Sequence, residues 1–424
     1  MADQKIKISP LKKIWLALIA IGPGLFMIGY NIGTGSITTL ASAGSRYGLS
    51  LLWVLVFACI ITFVMLVAYQ QFTLVTGETS MRGYRKYLPY GKFFALVIIV
   101  GMALGEFVGI AGIMGVVTNL IEEWTNLLFD GNGISPIIST AVIVTAAYIL
   151  FWNGKYTIFE KFLITFVIIM GLSFILSLFI IVPDPSELVK GMIPGVPEGS
   201  GSFLLIASIA GTTSGAIVFV MRSIVVSEKG WTIHNLKQAR VDAFWSAFFM
   251  LILSGTIMAL AAGTLYKEGT PVENAIDMVK MLVPVAGRFA ISIFVVGVIA
   301  AGISTIFPIS LILPWLISDY TGTKRDIKSP MYRILGGVAF ILAFVVPVFG
   351  GRPVWVLVFA GALQSVVLPI ATIAIFILLN NKKLMGEHKA GLWLNIGLIV
   401  SIVFAFITTY FGVVSIAGEI RALL

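Results

Sequence analysis

The chain has 424 residues, of which 59% are hydrophobic and only 11% charged, with a formal net charge of +9. Its mean hydropathy is +1.04. That composition excludes a soluble globular protein, whose surface could not be covered by so few polar groups. One cysteine, Cys59, provides neither a disulfide framework nor a cysteine metal cluster. The two histidines, His234 and His388, fall in polar stretches, which argues against a zinc or haem site in the membrane. No cofactor and no resident metal are expected.

A helix needs about 20 mostly apolar residues to cross the hydrocarbon. In chain order the sequence predicts eleven spans, near 14–43, 50–76, 93–121, 136–152, 162–182, 203–226, 243–265, 287–318, 334–349, 354–380 and 392–414. The start, "MADQKIKISPLKKIWLALIAIGPGLF", has a basic head and then an apolar run. No small-residue cleavage site follows, so the run is read as a retained first span. The span at 287–318 is long and contains Pro308 and Pro314, which predicts a tilt or a kink.

The basic residues alternate with the spans. On the side shared with the N-terminus lie 21 Lys and Arg, against 7 on the other, and the loops near 122–130, 183–198 and 268–277 are acidic. The positive-inside rule then predicts a cytoplasmic N-terminus, a C-terminus outside, and a multi-pass protein of the plasma or inner membrane. This placement of charge makes the bilayer, rather than nucleic acid, the expected partner, and a monomer is expected. There is no Walker motif and no soluble domain, so any transport would be driven by gradients.

Two spans carry polar, glycine-rich interruptions. The first, "YNIGTGSITT", covers 30–39, and the second, "SIAGTTSGAIVF", covers 208–219. Backbone polar groups freed at membrane depth are tolerated only against protein or a wet cavity. Small residues also let helices pack closely. Interruptions in the first and sixth spans, at matching places of two five-span halves, point instead to a transporter site. The halves would be inverted repeats at about 14–182 and 203–380, with 392–414 as an additional helix in one transmembrane domain, 1–424. The candidate site residues are Tyr30, Asn31, Gly33, Thr34, Gly35 and Ser36 in the first break, and Thr212, Thr213, Ser214 and Gly215 in the second. Ser36 and Ser214 are the expected N-caps of the second half-helices. Gln364 could reach the same cavity or bond between helices.

Glu106 reads as the one acidic residue deep in a span. An intramembrane carboxylate is a functional candidate by default, here as a proton carrier, with a packing role equally open. Arg222 is a second coupling candidate, although a snorkelling position near a helix end is favoured for it.

Several stretches resemble the Nramp family of proton-coupled divalent-metal transporters. They are "IGPGLFMIGY", "LVTGETSMRGYRKYLP", "LGEFVGIAG" at 104–112, "GVIAAGIST" at 297–305 and "LPIATIAIFILLNNKKLMGEH". The resemblance covers nearly the whole chain and implies an all-α, LeuT-like fold with a 5+5 inverted repeat and an eleventh helix. It departs at the centre. Gly33-Thr34-Gly35-Ser36 stands where the family carries DPGN, and "GTTSGAIVFVMRS" stands where it carries a motif containing MPH. In the third span Ala103 takes the place of an Asp, while Glu106 matches. The family's second sixth-span His falls at about Arg222. A dehydrated transition-metal ion needs charged, imidazole or sulfur ligands, so the metal site is not carried over. "IGTG" also resembles, over four residues, an amino-acid permease motif that receives a carboxylate.

The sequence therefore favours a secondary transporter working by alternating access on a small polar or anionic organic solute. The alternatives are a divalent cation such as partly hydrated Mg2+, and a passive channel or non-transporting sensor. No triad, metal cluster or paired carboxylates occur in the spans, so an enzyme is not expected.

Overall fold

The computed structural model describes residues 33–423, apart from 154–155, 182, 200, 284–286 and 288–289. Tyr30, Asn31 and the first half of span one lie outside the described residues. The rest is helical: α1 Thr34–Tyr47, α2 Leu52–Thr76, α3 Ser80–Tyr87, α4 Gly91–Leu128, α5 Pro136–Asn153, α6 Tyr156–Ile180 and α7 Pro185–Gly191. Then come α8 Ser202–Thr213, α9 Ala216–Glu228, α10 Leu236–Ala261, α11 Ala290–Thr321, α12 Pro330–Leu342, α13 Val345–Phe349, α14 Pro353–Val366, α15 Leu368–Asn380 and α16 Leu392–Leu423.

Among the described residues eight helices are long and apolar enough to cross a membrane, or nine with one bent pair. The remaining expected spans are the first, of which only α1 is described, the shorter α5, and α6, which belongs to the bent pair. Large apolar side chains face outward along the helices, among them Leu104, Ile149, Ile341 and Ile407. Such a continuous apolar exterior is what lipid covers.

The helices that matter for the centre are α1, α4, α8, α9, α11 and α14. α14 lies between α4 and α8 and touches α1; α1 in turn packs on α8, α4 and α11. Glycines permit the closest crossing. A Cβ on Gly361 of α14 would sit 2.8 Å from Thr212 Cγ2, and one on Gly211 of α8 would run into the Gly361 carbonyl. Hydroxyls tie the layers together: Thr39 and Ser208 join α1 to α8 at 3.1 Å, and Thr62 of α2 donates to the Thr213 carbonyl at 2.9 Å.

Two boundaries change. α10 begins at Leu236 and continues through a π-helical turn, Ala262–Tyr266, so Asp242 belongs to the span and is buried. α11, which carries Pro308 and Pro314, runs as one helical segment over Ala290–Thr321. Span ten is two helices, because Pro369 in the first turn of α15 has no N–H to continue the α14 ladder.

Candidate functional site

The second break is local and complete. α8 ends at Thr213; Ser214 has φ −117 and ψ 33, Gly215 has φ −63 and ψ 144, and α9 starts at Ala216. The expectation that Ser214 caps α9 is corrected. Gly215 is the N-cap, and Ser214 Oγ instead donates back to the Ala210 carbonyl at 2.7 Å. Serine hydroxyls near helix ends readily make such local bonds. Ser36 is likewise not the cap of α1. Gly33 is, in extended backbone, and Ser36 sits in the first turn. A glycine is favoured there by space, since a Cβ on Gly33 would lie 2.7 Å from Thr305 Oγ1.

Both breaks border one cavity of about 60 Å³. Its walls are Gly33, Gly35 and Ser36 of the first break, Thr212, Ile217 and Val218 around the second, Glu106, Gly109 and Ile113 of α4, Thr305 and Ile309 of α11, and Leu357, Ala360, Gly361 and Gln364 of α14. The first turns of α1 and α9 present N–H groups with no intrahelical acceptor, and the last turn of α8 presents carbonyls. The first ladder bonds are Ile37 N–H to Gly33 O and Val218 N–H to Gly215 O, which leaves the preceding amides outside the ladder.

Among the described residues Glu106 is the only ionisable side chain in this wall. It is 4% exposed, and Gln364 Nε2 donates to its Oε1 at 3.0 Å. Gln364 is pinned between helices. A Cβ on Gly105 would meet its Cγ at 2.7 Å, and one on Gly215 would come within 3.3 Å of its Oε1. The amide thus spans from the carboxylate on α4 to the helix break. Among its described lining residues the cavity offers hydroxyl, amide and carboxylate groups, with neither sulfur nor imidazole. Among the described residues no three His, Cys, Asp or Glu converge to hold a metal ion.

Not every candidate lines the cavity. Gly33, Gly35, Ser36, Thr212, Glu106 and Gln364 do. Thr34, Thr213, Ser214 and Gly215 lie beside it: Thr34 Oγ1 points at Gly302, and the Thr213 carbonyl is taken by Thr62. Thr305 and the α14 glycine, Gly361, were not singled out from the sequence. The "GVIAAGIST" stretch that holds Thr305 was the available signal.

Arg222 is elsewhere, and the snorkelling expectation is corrected. Its side chain is wholly buried and forms an ion pair with Asp242 at 2.5 Å. Arg222 Nε donates to Gln70 Oε1 at 2.9 Å, and Nη2 donates to the Ala239 carbonyl at 3.2 Å. A guanidinium stays protonated in proteins, so it serves here as a structural counter-charge and cannot carry protons. Glu106 is also not the only buried carboxylate, since Asp242 and Asp319 are 3% and 4% exposed.

The family model described as Natural resistance-associated macrophage protein-like matches residues 24–415. The chain belongs to the Nramp family. Nramp proteins are membrane transporters, so this is a multi-pass membrane transporter and not an enzyme. It is 24% identical over 390 residues to the divalent metal cation transporter MntH of Aeromonas hydrophila, covering 90% of this chain and 91% of that protein. With the Yersinia pestis protein of the same name the identity is 25% over 395 residues, covering 89% and 90%. Among solved structures, the Eremococcus coleocola manganese transporter superposes with a TM-score of 0.72 at 15% identity, over 98% of this chain and 90% of that one. MhsT in complex with L-phenylalanine gives 0.61 at 14% identity, over 94% and 98%. The nucleobase-cation-symport-1 family transporter Mhp1 gives 0.58 at 16% identity, over 96% and 92%. These likenesses establish the all-α, LeuT-like fold of this Nramp chain.

Proposed function

We propose that this Nramp protein is a secondary transporter of a hard divalent cation, Mg2+ foremost, carried with part of its water shell. The observation that carries this reading is the small cavity at the helix break, where the Ser36, Thr212 and Thr305 hydroxyls and the Gln364 amide share an otherwise apolar described wall with one carboxylate, Glu106. Its 60 Å³ has room for a small ion with about one water, whose liquid share is about 30 Å³. Organic ligands occupy pockets of about 300–1,000 Å³. A carboxylate-bearing solute would also meet the Glu106 carboxylate, and like charges at one site disfavour each other. These two points turn the preference from an organic solute to a cation.

Carboxylate, carbonyl and water oxygens suit Mg2+ and Mn2+ rather than softer metals. Mg2+ keeps several waters and accepts one or two carboxylates. Ser36, Thr212 and Thr305 would hydrogen-bond those waters. Gln364 would hold the Glu106 carboxylate toward the ion, and the C-terminal end of α8, at Thr212, would face its charge. Glu106 is the residue assigned to charge compensation, with the alternating-access motion hinged at Ser214–Gly215. The inverted repeats at 14–182 and 203–380 and a cytoplasmic N-terminus belong to the same proposal. The MntH relatives, named as divalent metal cation transporters, agree in substrate class.

A thermal-shift screen of purified protein against divalent cations, amino acids and carboxylates tests it, because a ligand stabilises the state it binds. Saturable stabilisation by Mg2+ or Mn2+ is expected. Stabilisation by a carboxylate solute and by no cation would overturn the reading.

A further inference from the structure

α2 packs along both halves of the broken sixth span, α8 and α9, and holds each by one buried side chain. Thr62 Oγ donates to the carbonyl of Thr213, the last residue of α8, at 2.9 Å. Gln70 Oε1 accepts from Arg222 Nε of α9 at 2.9 Å. Thr62 and Gln70 are both 0% exposed. They stand on one face of α2, about 12 Å apart along its axis. Neither borders the central cavity, so neither is a ligand of the cargo.

The two ties differ in kind. Gln70 meets a guanidinium that stays protonated and is paired with Asp242 of α10, so α9 is held by charge-assisted bonds. Thr62 offers a neutral hydroxyl, and that hydroxyl has a second acceptor. The Ala58 carbonyl, one turn back on α2, lies 2.8 Å from the same Oγ. One hydroxyl carries one hydrogen, so it cannot fully serve both carbonyls at once. Ala58 has no need of it, because the helix ladder already brings the Thr62 N–H to that carbonyl. Thr213 does need it. Its carbonyl ends a helix and lacks an intrahelical donor, and among the described residues Thr62 is its donor. A buried carbonyl left without a donor is destabilising.

Resting on the alternating-access reading above, we propose that Thr62 is the positioning residue of this break, a tie that exchanges between two carbonyls during the transport cycle. In this conformation its hydroxyl holds the end of α8 against α2. When the chain turns at Ser214–Gly215, the hydroxyl goes back to the Ala58 carbonyl and is never left without an acceptor. The release frees α8 from α2, while Gln70 and Asp242 keep α9 in place. A neutral bond with a ready substitute acceptor is the tie that breaks at least cost, and the buried ion pair is the one that does not.

Two measurements on the full chain test this. The first needs no cargo: hydrogen–deuterium exchange of the peptide spanning 213–218, in nanodiscs. Thr62→Val keeps the side chain's shape and removes the donor. The Ser214 amide closes the last turn of α8 onto the Ala210 carbonyl, and T62V is expected to speed its exchange about fivefold or more. Thr62→Ser keeps the hydroxyl and is expected to exchange as wild type does. The second measurement is Mg2+ uptake into proteoliposomes. T62V is expected to lower the maximal rate about tenfold and leave the half-saturating concentration within about twofold, because the cavity wall is untouched. T62S is expected to restore the rate. Should T62V fail to fold, Thr62→Cys, whose S–H is a weak donor, is expected to fall between wild type and full loss in both measurements. Wild-type exchange at the break in T62V, a wild-type maximal rate in T62V, or T62S behaving as T62V does overturns the assignment. If wild type takes up no Mg2+ while T62V still loosens the break, the cation reading fails and the Thr62 tie stands.

Discussion

Arg222 of α9 and Asp242 of α10 form an ion pair in which both side chains are sealed from the surface, at 0% and 2% exposure. The pair fixes the second half of the broken helix to a helix that does not border the central cavity. Removing one partner strands a buried charge, which costs about 3–5 kcal/mol, whereas replacing both with apolar residues is often neutral. Arg222→Met and Asp242→Leu alone should each lower the thermal transition of the purified protein strongly. The double variant R222M/D242L should recover most of the loss. A double variant as unstable as the worse single one would show that Gln70 and the Ala239 carbonyl, rather than the pair, set the cost.

The crossing of α8 and α14 depends on glycine. A Cβ on Gly211 would run into the backbone of Gly361 and come 2.9 Å from Ser365 N, and backbone cannot yield as a side-chain tip can. Gly211→Ala should destabilise by about 1–3 kcal/mol, as overpacking does. Gly255 in α10 has open space around its Cβ position. There Gly255→Ala should be neutral or stabilise by about 0.5–1 kcal/mol through helix propensity. Parallel unfolding curves of the two variants make the comparison.

Much of this was readable in the chain because its strongest signals are long. Apolar runs located the helices, and the two glycine-rich interruptions located the cavity wall. The capping residues were misassigned for a local reason. At "TTSG" either Ser214 or Gly215 can end the first half-helix, and only the backbone shows that Ser214 bonds back to Ala210 while Gly215 takes the cap. Arg222 was misjudged for a nonlocal one. Its partner Asp242 stands 20 residues away, in a charged stretch that depresses hydropathy and hides the start of α10 at Leu236. Pairing across helices leaves no mark on a linear hydropathy pattern. The break in span ten was legible in principle at Pro369.

Orientation is open to a direct check. Cys59 is the one cysteine and is buried, so background labelling should be low. With the basic face in the cytoplasm, Glu387→Cys should react with impermeant maleimide only from the cytoplasmic side. Asp130→Cys should react only from outside. The reverse pattern would invert the assigned topology.

Gly35 separates a packing role from a cavity role. A Cβ there meets only Leu357, at 3.9 Å. Gly35→Ala should therefore fold and keep the Mg2+ response, while Gly35→Trp, reaching into the 60 Å³ cavity, should fold and lose it. If G35W retains the Mg2+ response in the thermal-shift assay, the first break serves packing alone.

The central claim rests on Glu106 as the charged ligand of a hydrated divalent cation. Mg2+ uptake into proteoliposomes, followed with an entrapped Mg2+ dye, tests it most directly. Wild type should give saturable uptake. Glu106→Gln keeps an acceptor for Gln364 Nε2 but removes the charge, and should cut uptake about tenfold or more, equivalent to about 1.4 kcal/mol. Uptake by E106Q at the wild-type rate, or no cation flux by a folded wild-type protein, would contradict the account.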